Sequence, residues 1–509
     1  MQSRRGLSRR EMIGLGALGG VSLLSPRSAW ALPAPSSPAE AHVRPKNIIF
    51  MVADGQSLGV PSLAEPFSHL VRGRGTHWAR LMCDARSAPG FFETHALNTL
   101  VTDSAAASTA WASGSRVFNG SLNVLPDGTK LTPIGWLARS TGRRIGLVTT
   151  TTITHATPAG FASVQRSRDA EADIAAQYLG YVDVLMGGGR EFFAADRRSD
   201  GVDLVGRYVA SGYRHWDSRS ALAGVAGGAP QKILGLFGTG HLPFTLDWQN
   251  QPELEATVPT LAEMTQAALT SLADSARGFL LQVEGGRVDH AAHANDAAAM
   301  LWDQLAFDDA IGVALAFAES REDTLVIVTS DHANANPGLN GIGASYADST
   351  ACFEVLAGAK ASHGVIRQRL RRLAGDDRQV TADNVIEVVR DATGIELAAG
   401  EAEAIRAVAS GQAPADLNRQ HANFVGTLGQ TLGNHNGIGW TGVSHTADLV
   451  LLAATGPGAS RFRGLLRNTD AFTQLTELMD IRYCNPTMTP RQAARFCVDA
   501  TIPVPAHWA

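Results

Sequence analysis

The chain alternates between two hydrophobic patterns. Continuous apolar or β-branched runs occur at Asn47–Ala53, Arg144–Thr150, Asp183–Met186, Gly278–Val283, Thr324–Ser330 and Leu449–Ala454. Each is about 4–8 residues long, the mark of a strand buried on both faces. Between them the apolar positions take helical spacing, at about Ala105–Ser113, Asp169–Leu179, Leu261–Asp274 and Asp289–Ala318. This alternation predicts βαβ units, hence an α/β fold with a mainly parallel central sheet sandwiched by helices. From Pro337 to Gly439 the rhythm breaks into polar helical stretches such as VIRQRLRRLAG and TADNVIEVVRDAT. Residues 337–439 therefore read as an inserted helical cap rather than an independent domain.

Composition narrows the class. With 509 residues and 45% hydrophobic content, the chain can bury a large core. Charged residues make up 18%, below the usual share of roughly 25%, which argues against disorder. The formal net charge is −5; residues 1–31 hold five Arg and one Glu, so the remainder has 38 basic and 47 acidic residues, or −9. Such a balance, without any Lys/Arg run, argues against nucleic acid or an anionic membrane as partner.

The N-terminus reads as an export signal over residues 1–31. Arg4, Arg5, Arg9 and Arg10 precede an apolar run from Ile13 to Leu24, too short to span a bilayer. Ala29-Trp30-Ala31 supplies a small-residue cleavage site. Ser8-Arg9-Arg10-Glu11-Met12-Ile13 resembles a twin-arginine signal, with Met-Ile where Phe-Leu is usual, so Sec export stays an alternative. The expectation is one mature domain over 32–509, periplasmic or secreted, without membrane attachment once the signal is removed. Export permits disulfides; Cys484 and Cys497 would close a short loop, and the sequence leaves that bridge open.

Candidate chemistry sits where the strands end. Asp54 follows the first run, Glu284 the fourth and Asp331-His332 the fifth, while His155 and Thr157 lie just beyond the second. Open α/β sheets bind ligands outside the carboxyl ends of their strands. Each group alone suits a turn or cap; their joint occurrence points to one polar site. Asp289 and His293 are four apart on a predicted helix and share a face, a platform for a metal ion. His445 precedes the last run. Ser104, in VTDSAAASTAW, stands where a helix can start, at the positive end of its dipole. An N-cap role for Asp103 or Ser104 suits the same pattern, and the local sequence does not choose. No GxSxG motif exists, so activation of a serine would have to come from metal.

Six segments together, NIIFMVADG, TDSAAASTAWASG, THATPAGFASVQRSRD, QVEGGRVDHAAH, VTSDHANAN and GVSHTADLVLLAATGPGA, resemble the successive motifs of the alkaline phosphatases, in the family's order. The resemblance runs from about Asn47 to Asp470 and is weak in the cap. It implies a metal-dependent phosphomonoesterase with two zinc ions and one magnesium ion, acting on small-molecule phosphate monoesters, and dimers are common in the family. On matching positions, Asp289, His293 and His445 would hold one zinc, and Asp54, Asp331 and His332 the other. Asp54, Thr157 and Glu284 would serve magnesium. Ser104 would be the nucleophile, and Arg168, chosen over Arg166 by spacing alone, would grip the phosphate.

The departures are local. Ser-Ala-Ala-Ala-Ser-Thr replaces the usual bacterial Ser-Ala-Ala-Ser-Ala-Thr, leaving Asp103-Ser104 and Thr109 in place. Ala53-Asp54-Gly55-Gln56 replaces a Gly-Asp-Gly-Met pattern. His155 and His290 stand where many bacterial members have Asp and Lys, which puts the third metal's identity in question. We read both as hydrogen-bonding support around the ligands. The Cys/Ser-x-Pro-x-Arg pattern of sulfatases is absent, and Thr157, Glu284 and Arg168 favour monoesters over diesters. An exported binding protein without turnover is the remaining rival; it would have no need of the Ser104 hydroxyl.

Overall fold

The six apolar runs become the six central strands of a ten-stranded sheet in the computed structural model, which describes residues 44–225, 231–374, 380–412 and 418–497. The export signal expected at 1–31 lies outside the described residues. In chain order the strands are β1 (Asn47–Ala53), β2 (Ala88–Glu93), β3 (Arg144–Thr152), β4 (Val184–Gly188), β5 (Tyr213–Trp216), β6 (Lys232–Leu236), β7 (Phe279–Gly285), β8 (Thr324–Thr329), β9 (Val450–Thr455) and β10 (Gly464–Arg467). Across the sheet they run β10-β2-β9-β8-β1-β7-β3-β4-β6-β5. All are parallel except β9, which is antiparallel to both of its neighbours. The expected mainly parallel α/β sheet is met.

The four strands that the pattern misses, β10 and β2 on one side and β6 and β5 on the other, are the outer ones. Edge strands are half-covered, so β2, β5 and β10 mix buried and exposed positions instead of forming an apolar run. At the centre, alternate residues of β1 feed two cores. Ile48, Phe50 and Val52 pack with Trp111 and Phe161 on one face, and Ile49, Met51 and Ala53 with Leu269 and Phe307 on the other. Helices Ser104–Ser113 and Ala156–Ala162 cover the first face; Leu261–Leu272 and Ala297–Glu319 cover the second.

The long helix expected over 289–318 is two helices, Arg287–His293 and Ala297–Glu319. Asn295 takes a left-handed conformation (φ 48°) between them, and its side-chain amide donates to the carbonyl of Gly442 at 2.8 Å. Asp296 then caps the second helix through the Ala299 amide. Asp289 and His293 thus ride on a short helix of their own.

Residues 337–439 leave and rejoin the body at one place. Gly338 and Leu339 pair antiparallel with Gly439 and Ile438. Between these ends lie helices Ser349–Glu354, His363–Ala374, Ala382–Thr393, Ala399–Ala409 and Phe424–Asn436. They share a small core that includes Ile366, Val385, Val389, Ile405 and Leu428. Two buried carboxylates tie this insertion to the body: Asp247 accepts from the Ser362 amide and hydroxyl, and Asp296 from the His363 amide. The four cysteines are unpaired, Cys484 and Cys497 included.

Asp296 therefore does two jobs, capping one helix and anchoring the next. Asp296→Ala is expected to lower stability by about 1–2 kcal/mol and to speed amide exchange at His363. Unchanged exchange there would show that the anchor is not needed.

Candidate active site

Every sequence-derived candidate lies along the carboxyl edge of the parallel strands. Asp54 leaves β1 directly. Gly55 follows in a left-handed turn (φ 69°), and its amide donates to Asp331 Oδ1 at 3.0 Å. A Cβ there would stand 2.5 Å from Asp289 Oδ1, so only glycine lets β1 close on the ligand helix. Gly285 and Gly286 after Glu284 allow close packing, not a left-handed turn. Neither has a positive φ; a Cβ would strike the Phe307 ring or Thr151.

His445 reaches this edge because β9 is antiparallel, so the residues before β9 emerge where the parallel strands end. A two-residue ladder, His445 with Asn334 and Thr446 with Ala333, sets it beside Asp331 and His332. His445 donates from Nδ1 to the Thr102 carbonyl at 2.8 Å, and His293 from Nδ1 to the Val443 carbonyl at 2.7 Å. Both turn Nε2 inward, 3.0 Å apart.

Ser104 opens a helix whose ten residues are all buried. Asp103 is the cap, with Oδ1 accepting from the Ala106 amide at 2.9 Å. The two readings of this motif thus fall on different residues, and Ser104 Oγ is left 3.1 Å from His332 Nε2. The other oxygen of Asp103 accepts from the Gly120 amide and from Arg168 at 3.0 Å. The second arm of Arg168 donates to His155 Nε2 at 3.0 Å. Arg166 is exposed and lies beside Gly128 instead.

Three groups of side chains offer ligand atoms within 4.8 Å of one another: Asp289, His332 and His445; Asp54, Asp331 and His332; and Asp54, His155 and Glu284. The second is the trio named from sequence. In the first, His332 stands in for His293, whose Nε2 lies 3.4 Å from Asp289 Oδ2. The His332 ring stacks on His445 with centroids 3.6 Å apart, so it borders both groups. In the third, His155 is in the group itself, not behind it as expected. Thr157 is fully buried, its hydroxyl without a hydrogen-bond partner among the described residues. His290 Nδ1 accepts from Arg287 at 2.6 Å, and its ring lies 5.7 Å from that of His155.

The electrostatics demand cations. Burial, then the charges of Asp331, Asp289 and Glu284, raise Asp54 well above the usual carboxylate range. Burial pushes Glu284 up to about 7. Against the pull of burial, His332 lowers Asp331 and Asp331 raises His332. Burial and neighbouring cations hold His155 and His290 well below the ordinary histidine value, and His445 falls to about 4. Both oxygens of Asp54, one of Asp331, one of Glu284 and Nδ1 of His155 are buried without hydrogen-bond partners among the described residues. Buried carboxylates are ordinarily satisfied, and orphaned oxygens converging with neutral imidazoles fit divalent metals. The residues present therefore suit the implied ions.

An alkaline phosphatase family model matches residues 45–481. The chain is 30% identical over 436 residues to alkaline phosphatase 4 of Bacillus subtilis, covering 84% of this chain and 87% of that one. Among solved structures, it resembles Thermus thermophilus alkaline phosphatase with a TM-score of 0.84 and 37% identity, over 93% of this chain and 99% of that one. A cold-active alkaline phosphatase from a psychrophilic Shewanella gives 0.70 and 28%, over 85% and 99%. The chain belongs to the alkaline phosphatase family. It is a phosphatase, and its reaction class is the metal-dependent hydrolysis of phosphate monoesters.

Several supporting residues escaped the sequence reading. Thr149 and Thr151 donate to Glu284, and Thr149 sits opposite it in the β3–β7 register. The threonine run at 149–152 was the available signal. Asn334 donates to Asp289 at 2.6 Å, and His241 lies 4.5 Å ring-to-ring from His290. Ser108 explains the altered phosphatase motif. Its hydroxyl donates to the Ala156 carbonyl at 2.9 Å, tying the Ser104 helix to the helix that bears Thr157. Across from it, a Cβ on Gly160 would come within 2.3 Å of Ser108 Oγ.

Gly160→Ala is therefore expected to cost about 1–3 kcal/mol through overpacking, and Ser108→Ala in that background to recover part of the loss. A double-mutant cycle of unfolding free energies checks the pair; strict additivity would show that the two positions do not share the contact.

Proposed function

We propose that hydrolysis proceeds through a phosphoserine on Ser104. The observation that carries this reading is the Ser104 hydroxyl, 3.1 Å from His332 Nε2, at the start of a buried helix and beside orphaned carboxylates. In this reading Asp289, His293 and His445 hold one zinc ion, Asp54, Asp331 and His332 the second, and Asp54, Thr157 and Glu284 a magnesium ion. When bound, such ions neutralise the carboxylates, favour an ionised hydroxyl near neutral pH and stabilise the leaving oxygen. His155, within 4.8 Å of Asp54 and Glu284, adds an imidazole, which suits zinc better than magnesium.

The chain's own groups supply the rest. The Ser104 hydroxyl gives up its proton to water, Oγ bonds to phosphorus as the bond to the leaving alkoxide breaks, and the alkoxide takes a proton from water. Arg168 presents two donors that match two non-bridging phosphate oxygens, and Asp103 holds the guanidinium in place by one of them. Water then attacks the phosphoserine, releasing inorganic phosphate and restoring the hydroxyl. A diester has one charge fewer and a second substituent to fit against Arg168 and His155, so monoesters are preferred.

Export through residues 1–31, a periplasmic or secreted location and a homodimer belong to the same proposal. Among the described residues, no helix is long and apolar enough to cross a membrane.

Turnover of a chromogenic phosphate monoester and its diester analogue, with zinc and magnesium supplied, tests the reading. The monoester is expected to win, chelation to abolish activity, and Ser104→Ala to lower kcat by roughly a thousandfold or more. Faster diester turnover would remove the role given to Arg168. An active Ser104→Ala enzyme would remove the phosphoserine.

A further inference from the structure

The opposite edge of the sheet collects positive charge. Strands β3, β7 and β1 are neighbours, and each is entered behind basic residues: Arg143 before β3, Arg277 before β7, and Arg44 and Lys46 before β1. These four line a cavity of about 360 Å³. Among the described residues, Asp480 is the one carboxylate in its lining, and Arg44 takes it at 2.7 Å. Lys46, Arg143 and Arg277 are the remaining charged groups of the lining.

The crowding is built into the backbone. Gly142 is left-handed (φ 86°), and a Cβ there would stand 3.2 Å from Arg277 Cγ. Gly278, also left-handed (φ 80°), presses against Lys46, whose carbonyl oxygen would lie 2.0 Å from an added Cβ. A side chain at either glycine would spread the cations apart. Arg143 spends one nitrogen on Thr141 Oγ1 and the Met479 carbonyl, while its Nε is buried without a hydrogen-bond partner. Burial, then the charge of Arg277, lowers its pKa, and the Asp480 carboxylate offsets part of that shift.

We propose that this cavity is a second anion site, taking a small phosphate-type dianion. The site lies apart from the Ser104 centre, at the other end of strands such as β1, whose seven residues span roughly 23 Å. Guanidinium forks and an ammonium around a concavity match the several oxygens of a phosphate. A free phosphate and a lipid headgroup both carry such oxygens. On a chain otherwise rich in acid, the site draws anions locally. Inorganic phosphate, the product of the monoesterase reaction, has the required charge and size.

Isothermal titration of inorganic phosphate into the zinc- and magnesium-loaded enzyme tests the site. Wild type is expected to show two binding steps. In Lys46→Gln/Arg277→Gln, which alters exposed residues, the weaker step falls by about tenfold or more, the worth of one charge-assisted hydrogen bond. Arg143→Ala provides a second variant. Unchanged kcat and KM on a monoester show that each variant is folded. A single step in wild type, or two unaltered steps in the variants, would overturn the proposal. Sedimentation with phosphatidylglycerol vesicles separates the two anion sources. Charge-dependent vesicle binding without a second step for free phosphate would assign the cavity to lipid headgroups and overturn the free-anion reading.

Discussion

The constraint on which this structure depends is the burial of four carboxylates within reach of one another. Asp54, Asp289, Asp331 and Glu284 are each less than 5% exposed, and ionised groups are rarely buried without partners. The protein supplies partial answers. Backbone amides of Gly55 and His332 serve Asp331, threonine hydroxyls serve Glu284, and Asn334 serves Asp289. Asp54 accepts no hydrogen bond among the described residues, and the nearest imidazole nitrogen, His332 Nε2, lies 3.5 Å from its Oδ1. Asp54 belongs to two of the three groups able to hold a metal ion. The rest of the architecture reads as scaffolding for that arrangement, because none of these side chains would be tolerated singly.

Sheet topology does the gathering. Parallel strands deliver their following residues to one edge, which brings Asp54, Glu284 and Asp331-His332 together without special loops. Histidine 445 needs a different device. A residue preceding a parallel strand would sit at the wrong end of the sheet, and reversing β9 alone corrects this. The reversal also explains the short ladder from His445 to Asn334: the chain arrives alongside the segment leaving β8 and pairs with it. The broken helix at Asn295 works in the same direction. A continuous helix would carry Asp289 and His293 on a rod aimed by its far end, whereas the seven-residue piece is aimed by the site itself.

What the sequence discloses follows from burial. The central strands are apolar on both faces, so a continuous run finds them. The outer strands are short, and β2, β5 and β10 mix buried with exposed positions, so the run criterion passes over them. Residues directly after a buried run were legible as site residues for the same reason, since polar groups there are conspicuous. Asn334, Thr149, Thr151 and Ser108 were not, because small polar residues occur in every turn and helix cap and declare a role only through a partner far along the chain. Sequence puts His155 near the site, but its place beside Asp54 and Glu284 emerges only from the packing of Ala156–Ala162 against the Ser104 helix.

The pairing of Asp103 with Arg168 bears on how phosphate is received. A carboxylate at a helix N-terminus stabilises the helix yet offsets the positive end of its dipole, which would weaken the field at Ser104. Arg168, docked on that carboxylate, returns a positive charge to the same spot. Its other arm rests on His155 Nε2. A guanidinium only donates, so this nitrogen is an unprotonated, neutral acceptor, the weaker of the two tethers. Under the proposed mechanism an arriving phosphate would displace the imidazole before the carboxylate. In the proposed mechanism Arg168 pivots on Asp103 instead of leaving it, so the guanidinium would meet the substrate with one edge still fixed to the Ser104 helix.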